Sequence, residues 1–387
     1  LKQVLRKMVP TLALVVPRLW QKLGLRRAFF AWFERKDCSL GRTGGTGQET
    51  SGLMHEELFT PDHPIHKPAG PDAQAYADYL RMTVAEKATR VTGTLWTQDA
   101  RLSYPTAVHT TAQGIVLDNY PSKSVLHNPK YALPQAVVGL RKPVQRHASG
   151  FLMQTSWAHN FYHWTIDMIP RLETFLTDPT LRGTPIVMSE RAPKFARKSL
   201  DLIAPNRPVL WLPDGVHAFE TLAIPANLST YAVVSAHAMK FLKDRYLPAL
   251  RRDLKGFTPP GRRVYVSRAD AAVRRIHNEP QIEAELKEMG FVSVVMSDFS
   301  IAEQAEIFAQ AESIVCAHGA ALANLAFCQP DTRVLEIFQQ GHRSRAYYSI
   351  SGLLGLRYGF VLGQPVGNDI HVDPPVLRDV LAQMDLC

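Results

Sequence analysis

The sequence predicts an α/β protein built around parallel sheet, and three observations carry that prediction. From Gly150 onward, short apolar runs alternate with stretches at helical spacing, the signature of strands joined by crossover helices. Apolar residues make up 46% of the 387-residue chain and charged residues 20%, enough to bury the cores of two or three domains and to exclude global disorder. No fixed-period repeat is present, which removes solenoids and propellers, and no apolar run is long enough for a conventional membrane-spanning helix.

Taken in order, the chain opens on a basic segment. Residues 1–36 carry nine Lys and Arg against Glu34 alone, so +8 of the formal net charge of +9 sits there and the other 351 residues hold +1. A nucleic-acid enzyme spreads its basic residues through the folded body, so nucleic acid is not expected as a partner. The basic residues alternate with Trp20, Phe29, Phe30, Trp32 and Phe33. That mixture predicts an amphipathic helix on an anionic membrane surface, with Pro10 and Pro17 confining it to about Arg18–Arg35. A disordered leader, or a helix docked on the body of the protein, also fits. The absence of Met at Leu1 leads us to expect residues before it.

Residues 37–75 are rich in glycine and proline and read as a linker or irregular extension. Residues 76–144 look mixed, with strand-like Gly114-Ile115-Val116-Leu117. Pro185-Ile186-Val187-Met188 and Pro208-Val209-Leu210-Trp211-Leu212 read as strands, with a helix over Lys194–Ile203 between them. The pattern is sharpest after Arg263. Strands are predicted at Val264–Arg268, Phe291–Met296, Ser313–Ala317 and Arg333–Phe338. Asn278 is placed to cap one intervening helix, which Gly290 ends, and Ser300-Ile301-Ala302-Glu303 is a capping box opening the next. Four cysteines (Cys38, Cys316, Cys328, Cys387) at no metal-type spacing, and one sequon at Asn227, lean toward a reducing cytoplasm.

Ligands of such sheets sit beyond the carboxyl ends of the strands, against helix N-termini. The third strand of the last group runs into His318-Gly319-Ala320, a start with few side chains in front of its free N–H groups. Arg268 and Arg274 follow the first strand and are suited to a diphosphate, and Glu336 near the end of the fourth is suited to ribose hydroxyls. Together they predict a nucleotide-diphosphate site. A second cluster runs from Ser156 to Leu172, where His159, His163 and Asp167 fall four residues apart. Either a general base or a metal grip fits that stripe. The metalloprotease pattern needs Glu after the first His, and Asn160 stands there. There is no Asp-x-Asp, no phosphate-loop motif and no G-x-G-x-x-G, which argues against metal-bound sugar nucleotides, ATPases and ordinary dinucleotide dehydrogenases.

These residues resemble glycosyltransferase family 61, a group with bacterial capsular-polysaccharide transferases and eukaryotic xylosyl-, arabinosyl- and N-acetylglucosaminyltransferases. The resemblance rests on Asn160-Phe161-Tyr162-His163-Trp164, Asp167, Pro170-Arg171-Leu172, Ser267-Arg268, Arg274-Arg275-Ile276, Asn278-Glu279, Glu303-Gln304, His318-Gly319-Ala320, Asn324 and Glu336. It implies two Rossmann-like domains facing a cleft, the GT-B arrangement, which we set at 76–235 for the acceptor side and 236–387 for the nucleotide-sugar side. It implies inverting transfer with no metal or other cofactor. Arg268, Arg274, Asn278, His318, Gly319, Ala320, Asn324 and Glu336 are then the donor-binding residues. Asp167 or His163 is the base, and Asn160, Trp164 and Arg171 lie toward the acceptor. The expected partners are a nucleotide sugar and a glycan or lipid-linked acceptor, at the cytoplasmic surface of a bacterial inner membrane and in cell-surface polysaccharide synthesis. A non-catalytic sugar-nucleotide or glycan-binding module and a metal-dependent hydrolase are the alternatives.

Overall fold

The computed structural model describes residues 50–58, 73–82, 88–104, 108–111, 114–116, 145–155, 157–225 and 234–386. The basic segment 1–36, Cys38, the sequon at Asn227 and Cys387 lie outside them. The described strands form two sheets. The first holds β1 (Thr50–Leu58), β2 (Ala88–Tyr104), β3 (Val108–Thr111), β4 (Gly114–Val116), β5 (Gln145–Leu152), β6 (Ile186–Ser189), β7 (Val209–Leu212) and β8 (Gly215–Pro225). Its order is β4-β3-β2-β8-β5-β6-β7, with β1 on β2. Parallel pairing runs from β8 through β5 and β6 to β7, while β1 to β4 form an antiparallel extension that β2 joins to β8.

Thr50–Leu58 is therefore a strand, although its own residues read as irregular chain. Its order comes from pairing with β2 rather than from local propensity. The helix Ala73–Met82 follows it and buries Tyr76, Ala77 and Leu80.

The second sheet holds β9 (Arg263–Ser267), β10 (Val292–Val295), β11 (Ser313–Ala317), β12 (Arg333–Gln339), β13 (Arg357–Val366) and β14 (Asp369–His371), in the order β10-β9-β11-β12-β13-β14. All pairs are parallel except β13 with β14. Chain order reverses between β9 and β11, the doubly wound arrangement. Both faces are covered: Ile314 and Cys316 of β11 enter one apolar cluster, Val315 and Ala317 the other. The first cluster also takes in Phe151, Trp164, Phe175 and Tyr246, so one core joins the two halves of the chain.

The four strands predicted after Arg263 are present. So are the Ser300–Glu303 capping box, with both reciprocal hydrogen bonds, and Gly290 at a positive φ after the preceding helix. Asn278 precedes that helix but makes no side-chain cap. Cys316 and Cys328 are buried free thiols, and burial pushes Cys316 up to about 12. Among the described residues no helix is long and apolar enough to cross a membrane.

Candidate functional site

The carboxyl ends of β9 and β11 lie side by side where chain order reverses, the place where doubly wound sheets open a crevice. Arg268 leaves β9 there, and His318-Gly319 leave β11. The Arg268 guanidinium lies against Gly319, its Cζ 2.8 Å from where a Cβ would stand and its Nη1 closer still. Residue 319 has no side chain because the arginine occupies its place. Arg268 is held by its own loop, Nε donating to Arg274 O at 3.2 Å and Nη2 to Val273 O at 3.0 Å.

Arg274 adopts a left-handed φ of 60°, with its backbone N–H donating to Asn368 O at 2.7 Å. Its Nε is buried with no hydrogen-bond partner. Burial, and then the positive charge of Arg268, lower its pKa. Two guanidiniums thus lie near enough for one to feel the charge of the other.

His318 follows β11 directly and adjoins Gly319, against which the Arg268 guanidinium lies. Its Nδ1 is 2.5 Å from Glu336 Oε1, and Tyr358 OH donates to the other carboxylate oxygen at 2.6 Å. Glu336 is 1% exposed. Both oxygens of the residue expected to meet ribose are thus engaged within the protein, one by His318 and one by Tyr358. The carboxylate instead orients the imidazole, a hydrogen bond to Nδ1 leaving Nε2 for the pocket. The ring stacks on Phe338 at 5.1 Å and neighbours His342 at 4.7 Å and Tyr347 at 5.3 Å. Tyr347 OH donates to Gly319 O at 2.6 Å.

Two further residues expected on the donor side are bonded within the protein. Ala320–Phe327, where a helix was expected to begin, is a 3-10 helix, its threefold spacing setting Leu322 and Leu325 in one buried row. Asn324 within it is fully enclosed, donating to Ala321 O at 3.0 Å and to Gln304 Oε1 at 3.4 Å. It fastens this turn to the helix Ile301–Gln310, while its Oδ1 is buried without a hydrogen-bond partner. Asn278 spends both ends of its amide on Val372, accepting from N at 3.1 Å and donating to O at 2.8 Å. It ties the chain after β14 to the helix Glu279–Glu288.

The second cluster lies on a π-helical turn, His163–Met168, followed by a 3-10 turn, Ile169–Arg171. Pro170 has no N–H and would clash with the carbonyl four residues back in an α-helix, so the helix widens ahead of it. His163 Nδ1 and Asp167 Oδ2 are 2.7 Å apart, with side chains 17% and 14% exposed. Asn160 caps the turn, its Oδ1 accepting from Tyr162 N and its O from Trp164 N, both at 2.9 Å.

Two of the residues expected toward the acceptor are buried. Trp164 is 0% exposed and donates to Ser199 Oγ at 3.1 Å, inside the core. Arg171 is buried and donates from Nε to the Asp167 carbonyl at 3.0 Å, bracing the backbone of the dyad. His159 is exposed in the turn before the helix and does not extend the stripe. Among the described residues no three His, Cys, Asp or Glu come together to hold a metal ion.

The two clusters adjoin. Tyr162 lies edge-on between His163, at 5.2 Å, and Tyr347, at 5.7 Å, and Tyr347 touches His318. Sequence reasoning did not single out Tyr347 or His342, and took in Trp157 only as part of the run from Ser156 to Leu172. His342 lies just past the carboxyl end of β12, so the strand-end rule that marks His318 also marks it. Trp157 is 39% exposed, stacked with His159 at 6.0 Å and 5.5 Å from His163, a flat apolar surface beside the dyad. The family model for glycosyltransferase 61 matches residues 161–335, which include the dyad, both arginines and His318. No curated protein matches the chain.

Proposed function

We propose that the chain, whose residues 161–335 match the glycosyltransferase 61 family model, is a glycosyltransferase that moves a sugar from a nucleotide-sugar donor to a glycan or lipid-linked acceptor with inversion and without a metal ion. The observation that supports the donor is the convergence of Arg268, Arg274 and His318 on one space at the reversal of strand order. Such fixed cations meet charge where it develops on a leaving diphosphate, the task a metal performs elsewhere.

The acceptor side is the His163–Asp167 dyad. Asp167 Oδ2 accepts from Nδ1–H of His163, and the imidazole Nε2 takes the proton of the acceptor hydroxyl as its oxygen attacks the anomeric carbon. The bond from that carbon to the phosphate oxygen breaks, and the diphosphate leaves with the electron pair. Trp157 offers a sugar ring an apolar face within reach of the dyad. In this reading the two halves of the chain form the GT-B cleft, and the basic segment 1–36 brings the enzyme to the cytoplasmic surface of an inner membrane, where cell-surface polysaccharide is built.

The test is a thermal-shift screen of nucleoside diphosphates and sugar nucleotides, with and without EDTA. A ligand at a hundred times its dissociation constant stabilises by about 2.7 kcal/mol, a readily visible shift. A stabilising nucleotide whose effect survives EDTA is the expected result. Stabilisation lost with EDTA would overturn metal independence, and no response to any nucleotide would overturn the donor assignment.

A further inference from the structure

We propose that His342 is an additional ligand of the donor's diphosphate and takes up a proton when that anion binds. The inference rests on the donor site proposed above but adds a residue to it, and a proton.

Position comes first. His342 follows β12 at its carboxyl end, its backbone N–H donating to Gln339 O at 2.9 Å, and its ring stands 4.7 Å from His318. Its back is covered by Phe338, whose ring lies 6.3 Å away at an interplanar angle of 26°.

Unmet hydrogen bonding is the second observation. His342 Nε2 and Arg274 Nε are both buried without a partner. Buried nitrogens are seldom left so, and two on different loops, near enough for the Arg274 charge to act on His342, call for an acceptor that both can share. Phosphate oxygens supply several.

Charge is the third. The groups around the ring are His318 from the end of β11 and Arg274 from the loop after β9, with Arg268 beside Arg274. Tyr347, from the helix Ala346–Leu354, lies against His318. The one carboxylate in this group, Glu336 on β12, is committed to His318 and Tyr358. Burial, then His318 and Arg274, hold His342 down to about 4, so it is neutral in the free protein at ordinary pH. A diphosphate seated against Arg274 and His318 reverses the sign of that field and gives an imidazolium N–H its acceptor. The proton comes from solvent, no bond to phosphorus forms, and no oxidation state changes.

The probe is inorganic pyrophosphate, which carries the shared anion without the nucleoside. With histidine ring carbons labelled, the His342 resonance is the one missing from the spectrum of His342→Asn. In the unmodified chain it should titrate near about 4, and with saturating pyrophosphate above about 6. At pH 6, His342→Asn and His342→Gln should each bind pyrophosphate about tenfold more weakly, as loss of one charge-assisted hydrogen bond implies. Pyrophosphate that binds without moving the His342 titration, or binds both variants as tightly as the unmodified chain, would overturn this proposal and leave the diphosphate site standing. Pyrophosphate and nucleoside diphosphates that fail to bind the unmodified chain would overturn both.

Discussion

At His163 the imidazole and the Asp167 carboxylate are 2.7 Å apart and largely buried, so each group sets what the other can do. Replacing Asp167 by Asn removes the carboxylate charge and offers an amide N–H where only an acceptor stood, so the imidazole tautomer is no longer fixed, and replacing His163 by Gln removes the base. Each should lower kcat by a factor on the order of 10² to 10⁴ while leaving donor affinity within about twofold, as single-turnover rates and calorimetry will show. Asp167→Asn with unchanged turnover would move the base elsewhere. Gly319 makes a different prediction, because its constraint is steric. A methyl group there must displace the Arg268 guanidinium. Gly319→Ala should therefore weaken nucleoside diphosphate binding by about tenfold or more, with the circular dichroism spectrum unchanged. Wild-type affinity in that variant would show that Arg268 is not held in place for the donor.

Among the elements, local signals succeed where an element is stabilised by its own residues. The capping box Ser300–Glu303 is one such case, and it lies on the helix Ile301–Gln310 that Asn324 grips through Gln304. Ser300→Ala should cost about 1 kcal/mol, seen as a lower urea midpoint at constant slope, without changing the kcat of transfer. A fall in kcat that outlasts the loss of stability would tie this helix to the chemistry. Strands β9 to β12 were equally legible, as short apolar runs ending in Gly, Ser or Asp. The long strands β2 and β8 were not. Their polar residues, such as Thr92, Gln98 and Glu220, break the apolar run, and they are ordered by pairing with each other. The π-helical turn also escaped notice, since a period of 3.6 places His163 and Asp167 together as readily as the widened turn does.

For the molecule as a whole, the charge distribution sets two expectations. Segment 1–36 carries nearly all the net charge, so the intact chain should cosediment with vesicles containing anionic lipid, less so as salt rises. Equal cosedimentation after its nine Lys and Arg are replaced by Gln would sink the membrane reading. The second expectation concerns pH. His342 is held to about 4 in the folded protein and lies near 6.5 when unfolded. Between those values the unfolded chain binds a proton that the folded chain refuses, so stability falls as pH drops through that window and is unaffected by this group above it. Relative to His342→Asn, the unmodified protein should lose stability from about pH 6.5 down to about 4 in urea melts, with a constant difference above. A difference that stays constant down to pH 4 would mean that His342 titrates normally.

The sequence by itself determined the parallel strands after Arg263, the strand-end positions of Arg268, Arg274 and His318, the pairing of His163 with Asp167 and the charge of the first 36 residues. These follow from spacing and from chemistry carried within a few residues, and both are written along the chain. Only the tertiary structure decided which of the polar residues near those positions are buried. Glu336, Asn324, Trp164 and Arg171 have side chains suited to a ligand. Each is enclosed by segments distant in sequence: Tyr358 over Glu336, the helix Ile301–Gln310 over Asn324, Ser199 at Trp164. His342 and Tyr347 reach the site for the complementary reason. Burial and convergence depend on what the rest of the fold brings to a point, and local spacing carries no record of that.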